Sequence, residues 1–376
     1  MGMIWLKKIK KRYLFAVLIA VVGLILTTCT YFATDIYSKN DVAVITDTKI
    51  KDTLEEKSTD VYGNKDETRK QVLHLKVLSG EFKGQTFQTI NMYYPSQLVT
   101  QKFRAGQRLF VTVKHGEPVI QDPKRDWVLV LAMTVMSTLM VAVSGKKSFG
   151  LIASMILSWV IFYLVIMLDI KLNGSYIVLL FGLADFVFSF FSLLVVQGFN
   201  RKMLATWLAT ILGTFVSFAL CYLIMRLTGE SEIKYETGDY ATQDPRGIFL
   251  AQTLLGILGA VMDEATDIIS SLYELIQTKA DLTAKQLIHS GRTMGQEIMG
   301  PLINVLVLIF MSEELPMTII YLRDNNSLRS TFGFTLSLGV TQSIISAIGI
   351  VLTVVFATGC SLLFLEEKKR KAGIKK

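Results

Sequence analysis

Two stretches, GILGAVMDEATDIISSLYEL at residues 256–275 and SGRTMGQEIMGPLIN at residues 290–304, decide the fold class of this chain. Both lie in apolar segments. Glycines recur in them where helices would touch, and carboxylates stand where lipid forbids them unless they face protein or water. On a helix, Asp263, Asp267, Ser270 and Glu274 follow one another at steps of four, three and four and form one stripe, which Glu264 and Ser271 widen. Two readings stay open. A carboxylate at the centre of a membrane helix costs about 3 kcal/mol, which favours a buried polar seam. The apolar run begins near Ile248, however, and at about 1.5 Å per residue Asp263 lies roughly 22 Å along a core of about 30 Å. A helix continuing into the cytoplasm would carry the same acids as a solvated face.

Composition supports the membrane reading. Hydrophobic residues make up 51% of the 376 and charged residues only 19%, with a mean hydropathy of +0.46, well outside the balance of soluble domains. The net charge of +8 comes from basic residues gathered at the ends of apolar runs, a distribution that orients helices in a bilayer, so no nucleic-acid partner is expected. The lipid bilayer is the expected partner, with a homo-oligomer or a related membrane protein as a further one. Cys29, Cys221 and Cys360 each lie inside an apolar run, which indicates neither a disulfide framework nor a zinc site. No cofactor is indicated.

A basic start, Lys7 to Arg12, precedes an apolar run from Leu14 to Ala33. This run is longer than the apolar core of a signal peptide and long enough to span, so residues 1–34 read as an uncleaved anchor. Residues 35–126 change to a polar, β-branched pattern. Gln71 to Leu78, Gln85 to Met92 and Leu109 to Val113 read as strands, and Ser79 to Gly84 as a turn. About five short strands predict a small β domain, an OB-like or SH3-like barrel, in which the charged stretch from Asp47 to Thr68 is a long loop. His74 and His115 lie in or beside strands without companion ligands and read as ordinary surface or strand histidines.

Seven further apolar segments follow, near residues 127–143, 149–168, 176–196, 203–227, 248–270, from 295 onward, and 334–365. The chain is thus expected to be a polytopic α-helical membrane protein of about eight transmembrane helices, with its helical domain at 127–365 and a basic tail at 366–376. Lys146 and Lys147, then Arg201 and Lys202, then Lys279, Lys285 and Arg292 alternate with poorer loops, while residues 228–246 carry Glu230, Glu232, Glu236, Asp239 and Asp244. By the positive-inside rule both termini are cytoplasmic and residues 35–126 lie outside.

The seventh segment resists this scheme. Leu302 to Met311 is too short to cross, and Ser312-Glu313-Glu314-Leu315-Pro316 interrupts it. Either the helix is broken there and lines a cavity, or it ends at Ser312 and residues 316–322 lie on the outer surface. Asp185 stands in the middle of the fourth run, and an ionisable group at that depth is a functional candidate, with a structural hydrogen bond to a neighbouring helix as the alternative. The candidate pathway therefore comprises Asp185, Asp263, Asp267, Ser270, Glu274, Arg292 as counter-charge, Glu297, Asn304 and Glu313. Gly256, Gly259, Gly291, Gly295 and Gly300 are the expected points of close helix packing, as is Ser346 with Gly349.

The pattern GxLGAxMDxAxxIxSxLxEL at 256–275, followed by SGRTMGQEIMGPLINVLVL at 290–308, resembles the paired signature of the YibE/F-like family of bacterial membrane proteins. The resemblance implies a polytopic helical domain in the bacterial cell membrane, preceded by an anchored outer β domain. Glu264, where an apolar residue is expected, and Pro301 depart from the pattern, so neither is expected to carry a mechanism. Three function classes remain. The acids in apolar surroundings favour a transporter or permease for an ion or small solute. The outer domain joined to a bundle favours a non-catalytic envelope or regulatory protein. An intramembrane hydrolase would need a carboxylate dyad, for which Asp185 with Asp263 is the candidate. HExxH, GxSxG and Walker A patterns are absent from the sequence, and an enzyme is not expected.

Overall fold

The computed structural model describes residues 2–34, 41–96, 100–114, 117–145, 147–229, 234–235, 244–279 and 281–371. His115, Lys146 and the loop acids Glu230, Glu232, Glu236 and Asp239 lie outside them. The chain divides into two compact units, residues 1–149 and 150–376.

The first unit holds α1 (Gly2–Phe32), a six-stranded antiparallel sheet and α2 (Asp126–Ser144). The strands are β1 (Asp41–Ile45), β2 (Lys51–Thr59), β3 (Lys65–Val77), β4 (Thr86–Tyr93), β5 (Arg108–Lys114) and β6 (Glu117–Pro123), in the order β2-β3-β1-β5-β6, with β4 paired to β3. The 13 residues of β3 serve three partners: β2 along Lys65–Val72, β1 along Leu75–Val77, and β4 along Arg69–Lys76. One strand shared in this way curls the sheet. Period-two alternation on β3 sends Leu73, Leu75 and Val77 inward, where they meet Ala43, Ile45, Phe103, Leu109 and Val111. β2 replaces the long loop expected between Asp47 and Thr68. It carries no apolar alternation because its ribbon with β3 is exposed on both faces and is held by charge pairs, Lys57 with Glu67 and Lys70 with Glu55. The helices of this unit run antiparallel, with Tyr31 edge-on to Trp127 at one end and Arg12 Nη1 donating to the Val143 carbonyl at 2.9 Å at the other. Between those ends, a Cβ on Gly23 would fall on the Thr134 side chain.

The remaining helices are α3 (Lys147–Lys171), α4 (Ile177–Gln197), α5 (Arg201–Thr228), α6 (Pro245–Thr278), α7 (Ala284–Arg323), the short α8 (Leu328–Thr331) and α9 (Ser337–Lys371), the last two joined by a π-helical turn at Phe332–Leu336. Among the described residues eight helices are long and apolar enough to cross a membrane, counting Leu328–Glu366 as one. Their ends follow local chemistry. Asn200 caps α5 through Met203 N–H, Asp244 caps α6 ahead of Pro245, and Thr283 with Gln286 forms a capping box on α7. α7 runs unbroken through Pro301 and Pro316, so neither the discontinuous helix nor the termination at Ser312 is found. Each proline removes one backbone hydrogen bond, a loss that a well-packed membrane helix tolerates.

α9 is the hub of the second unit, packed against α5, α6 and α7. Lipid tails are as apolar as leucine, so packing rather than water exclusion draws such helices together, and small residues let their backbones approach. A Cβ on Gly256 would lie 2.7 Å from Gln342 Nε2, one on Gly291 2.3 Å from Thr358 Oγ1, and one on Gly295 2.5 Å from Val354 Cγ1. These three pack as expected. Gly259 and Gly300 have nothing within 4 Å among the described residues and are exposed.

Candidate functional site

α5 presents an inward stripe of Thr206, Thr210, Thr214 and Ser217, all fully buried, at steps of four, four and three. α9 answers with Ser343, Ser346, Thr353 and Ser361, also buried. Most of these hydroxyls are satisfied by the carbonyl four residues back on their own helix: Thr210 donates to Thr206 O at 2.8 Å, Ser217 to Gly213 O at 2.7 Å and Thr353 to Gly349 O at 2.7 Å. Hydroxyls satisfied in this way can line a helix junction without needing a partner across it. Thr214 and Ser346 differ, since their buried Oγ atoms have no partner among the described residues.

α5, α6 and α9 meet closely around Val261. A Cβ on Gly213 would stand 2.8 Å from Val261 Cγ1, and one on Gly349 3.1 Å from Val261 Cγ2. Glu264 follows one turn later on α6. It is fully buried, and both its carboxylate oxygens lack a hydrogen-bond partner among the described residues. α4, packed on both α5 and α6, contributes the second such group. Asp185 is likewise fully buried with both oxygens unpartnered. The Ser189 hydroxyl next to it on α4 donates at 2.6 Å to the Asp185 backbone carbonyl, not to the side chain. Phe186, Phe190 and Trp207 stack edge to face at the α4–α5 contact, and the Trp207 indole N–H donates to Phe186 O at 3.4 Å.

The chemistry of such a site is restricted. An isolated carboxylate enclosed without a donor costs several kcal/mol as an anion, so it holds a proton or takes up a cation. Two of them occur here, on α4 and α6, while the neighbouring helices α5 and α9 carry the unpartnered hydroxyls of Thr214 and Ser346.

The stripe read from the sequence is placed differently. Asp263, Asp267 and Glu274 are exposed on α6, and Ser270 is half-buried. α6 has 34 residues and α7 has 40, about 51 and 60 Å, far beyond an apolar core of about 30 Å. The excess length packs on itself, as Ile268, Leu272 and Ile276 of α6 meet Leu282 of the connection to α7, Leu287 of α7 and Leu365 of α9. Asp267 and Glu274 therefore lie on the outer face of the C-terminal part of α6, the arrangement expected of a solvated continuation, whereas Asp263 shares the depth of its neighbour Glu264 and faces the other way. Arg292 is exposed and forms no ion pair with Asp263 or Asp267 among the described residues, so the counter-charge expected of it is not found. Glu297, Asn304 and Glu313 are exposed on α7. Asp185 and Asp263 do not form a dyad, one being enclosed and the other on the surface. The residue that sequence reasoning set aside is Glu264. Its signal was present at positions 261, 264, 265 and 268, because the apolar members of that set define the inward face on which Glu264 falls.

Models of the YibE/F-like protein and of the YibE/F family N-terminal domain match residues 132–367 and 35–122 respectively. No curated protein and no solved structure matches the chain. With eight apolar helices of spanning length and a curled antiparallel sheet among the described residues, and with family models covering both parts, this integral membrane protein belongs to the YibE/F-like family.

Proposed function

We propose that the chain is a transporter for an ion or small solute, in which Asp185 and Glu264 take up and release a proton or a small cation. The observation that carries this reading is the pair of fully buried carboxylates without donors on adjoining membrane helices. Such groups are costly to keep, and ionisable side chains inside a membrane mark ion pathways and proton relays. The reading includes a bacterial cell membrane, cytoplasmic termini and an outer sheet, supported by Lys147, Arg201, Lys202, Lys279 and Lys285 standing at alternate junctions between helices. It involves no catalysis.

Proteoliposomes under an imposed gradient test it, with proton, sodium and potassium fluxes read for the parent, Asp185→Asn and Glu264→Gln. The expected result is flux of at least one of these ions in the parent and its loss in both variants. Flux in the variants equal to the parent's would overturn the role of the carboxylates, and silence of the parent across ions and a panel of small solutes would overturn transport. A second reading, an envelope regulatory protein with a sensing domain, is favoured by one observation: the sheet has a complete core of its own, from Ala43 to Val111.

A further inference from the structure

Where the sheet meets α1 and α2, the first unit holds a cavity of about 930 Å³. Six cationic side chains line it, Arg69, Lys102, Arg104, Arg108, Lys124 and Arg125, and among the described residues no carboxylate does. Some of this charge is compensated from behind. Asp52 accepts from Arg69 at 3.1 Å and from Lys102 at 2.6 Å, and Asp126 accepts from Lys124 at 2.9 Å. Arg104, Arg108 and Arg125 have no carboxylate partner among the described residues; Arg108 donates to the Tyr31 carbonyl at 2.8 Å and Arg125 to Gln101 Oε1. Lys124 is buried, and burial, followed by the charge of Arg108, holds its ammonium below the ordinary lysine value. Positive charge is thus concentrated in one concave place beyond what the acids among the described residues offset.

The surroundings say what kind of anion belongs there. Arg108 lies over the rings of Tyr31 and Phe32, 4.7 and 5.0 Å from their centroids, so its guanidinium is held flat and its remaining donors are directed, an arrangement suited to bidentate recognition of phosphate. Tyr31 ends α1 and Trp127 begins α2, and the two rings meet edge-on at the cavity. Tyrosine and tryptophan at the ends of spanning helices sit at headgroup depth. The cavity therefore opens at the level of lipid phosphates.

We propose that this cavity is a phosphate-binding site that takes the headgroup of an anionic phospholipid from the leaflet at the sheet-side ends of α1 and α2. Bound there, the lipid would tie the sheet to the bilayer and offset the excess charge of Arg104, Arg108 and Arg125.

Native mass spectrometry of the full chain, released from neutral detergent with phosphatidylglycerol, phosphatidylcholine or inorganic phosphate, tests the proposal. The expected result is that the first phosphatidylglycerol binds at least tenfold more tightly than phosphatidylcholine. The Arg104→Gln/Arg125→Gln double variant should lose at least tenfold of that affinity while unfolding at the parent's temperature. If the double variant does not accumulate, Arg104→Gln alone carries the test with about a threefold loss, since its guanidinium has no partner to leave behind among the described residues. Equal binding of the two lipids, or parent-like binding of phosphatidylglycerol by the variants, would overturn the site. Inorganic phosphate bound as tightly as phosphatidylglycerol, and lost in the same variants, would overturn the lipid source and assign the cations to a soluble phosphate.

Discussion

Gly213 of α5 faces Thr353 of α9 so closely that a Cβ on the glycine would lie 2.4 Å from Thr353 Oγ1. With Val261 of α6 closing the same gap, three helices meet where no side chain can be added to α5. Gly213→Ala must therefore push α5 away from both neighbours, and overpacking of this kind costs about 1–3 kcal/mol. The expected outcome is a clear fall in membrane abundance and in the unfolding temperature in detergent. Gly259→Ala, with nothing within 4 Å, should leave both unchanged. Equal effects at the two positions would contradict the packing.

A pH-dependent contribution to stability resides in the sheet. Burial pushes the Asp52 carboxyl up, but hydrogen bonds from Lys102, Tyr93 and Arg69 outweigh it and hold the group below its ordinary value of 3.8. A carboxyl whose pKa is depressed by folding contributes stability that is fully present above its unfolded value and is lost as pH falls through the folded one. Asp52→Asn should thus destabilise the sheet by about 2 kcal/mol at neutral pH, as for loss of hydrogen bonds to a charged group. The difference from the parent should shrink as pH drops below the usual carboxylate range, read as unfolding of the full chain from pH 7 down to pH 3. A difference that stays constant would show that charge at Asp52 is not what matters.

The sheet's interior and the spanning helices were legible because their signals are local: alternation at Leu73, Leu75 and Val77, and long apolar runs in the bundle. β2 was not, since a two-sided exposed ribbon needs no apolar alternation and its charged residues read as loop. The extent of α7 was hidden by Pro301 and Pro316, whose helix-breaking weight is set for water and not for a bilayer. The acids of α6 were read as one stripe, although Asp263 and Glu264 are neighbours about 100° apart on the helix, and here the first is exposed and the second buried. The apolar residues Val261, Ala265 and Ile268 mark the inward face of α6, and Glu264 rather than Asp263 falls on it.

The proposed orientation is open to direct labelling. In a cysteine-free background, single cysteines at Val61, in the exposed turn between β2 and β3, and at Thr237, in the acidic stretch, should react with a membrane-impermeant maleimide in intact cells. A cysteine at Ala284, which begins α7, should react only after permeabilisation. Labelling of Ala284 in intact cells would reverse the assignment made from the basic loops.

The strongest separation of mechanism from packing lies in replacing Glu264 and Asp185 by residues that cannot hold a proton or an ion. A buried polar group kept for structure has a partner, and removing it leaves that partner unpaired at a cost of about 1–3 kcal/mol. Neither carboxylate has such a partner among the described residues, so Glu264→Leu and Asp185→Leu remove only groups that are themselves costly to enclose. Both variants should accumulate in the membrane at the parent's level or above it, and both should have lost flux in proteoliposomes. Asp263→Asn and Asp267→Asn, altering exposed groups, should accumulate normally and retain most of the flux. Abundance falling to a small fraction in both leucine variants, with flux per molecule preserved, would make the two carboxylates structural and remove the basis for a transport pathway between α4, α5 and α6.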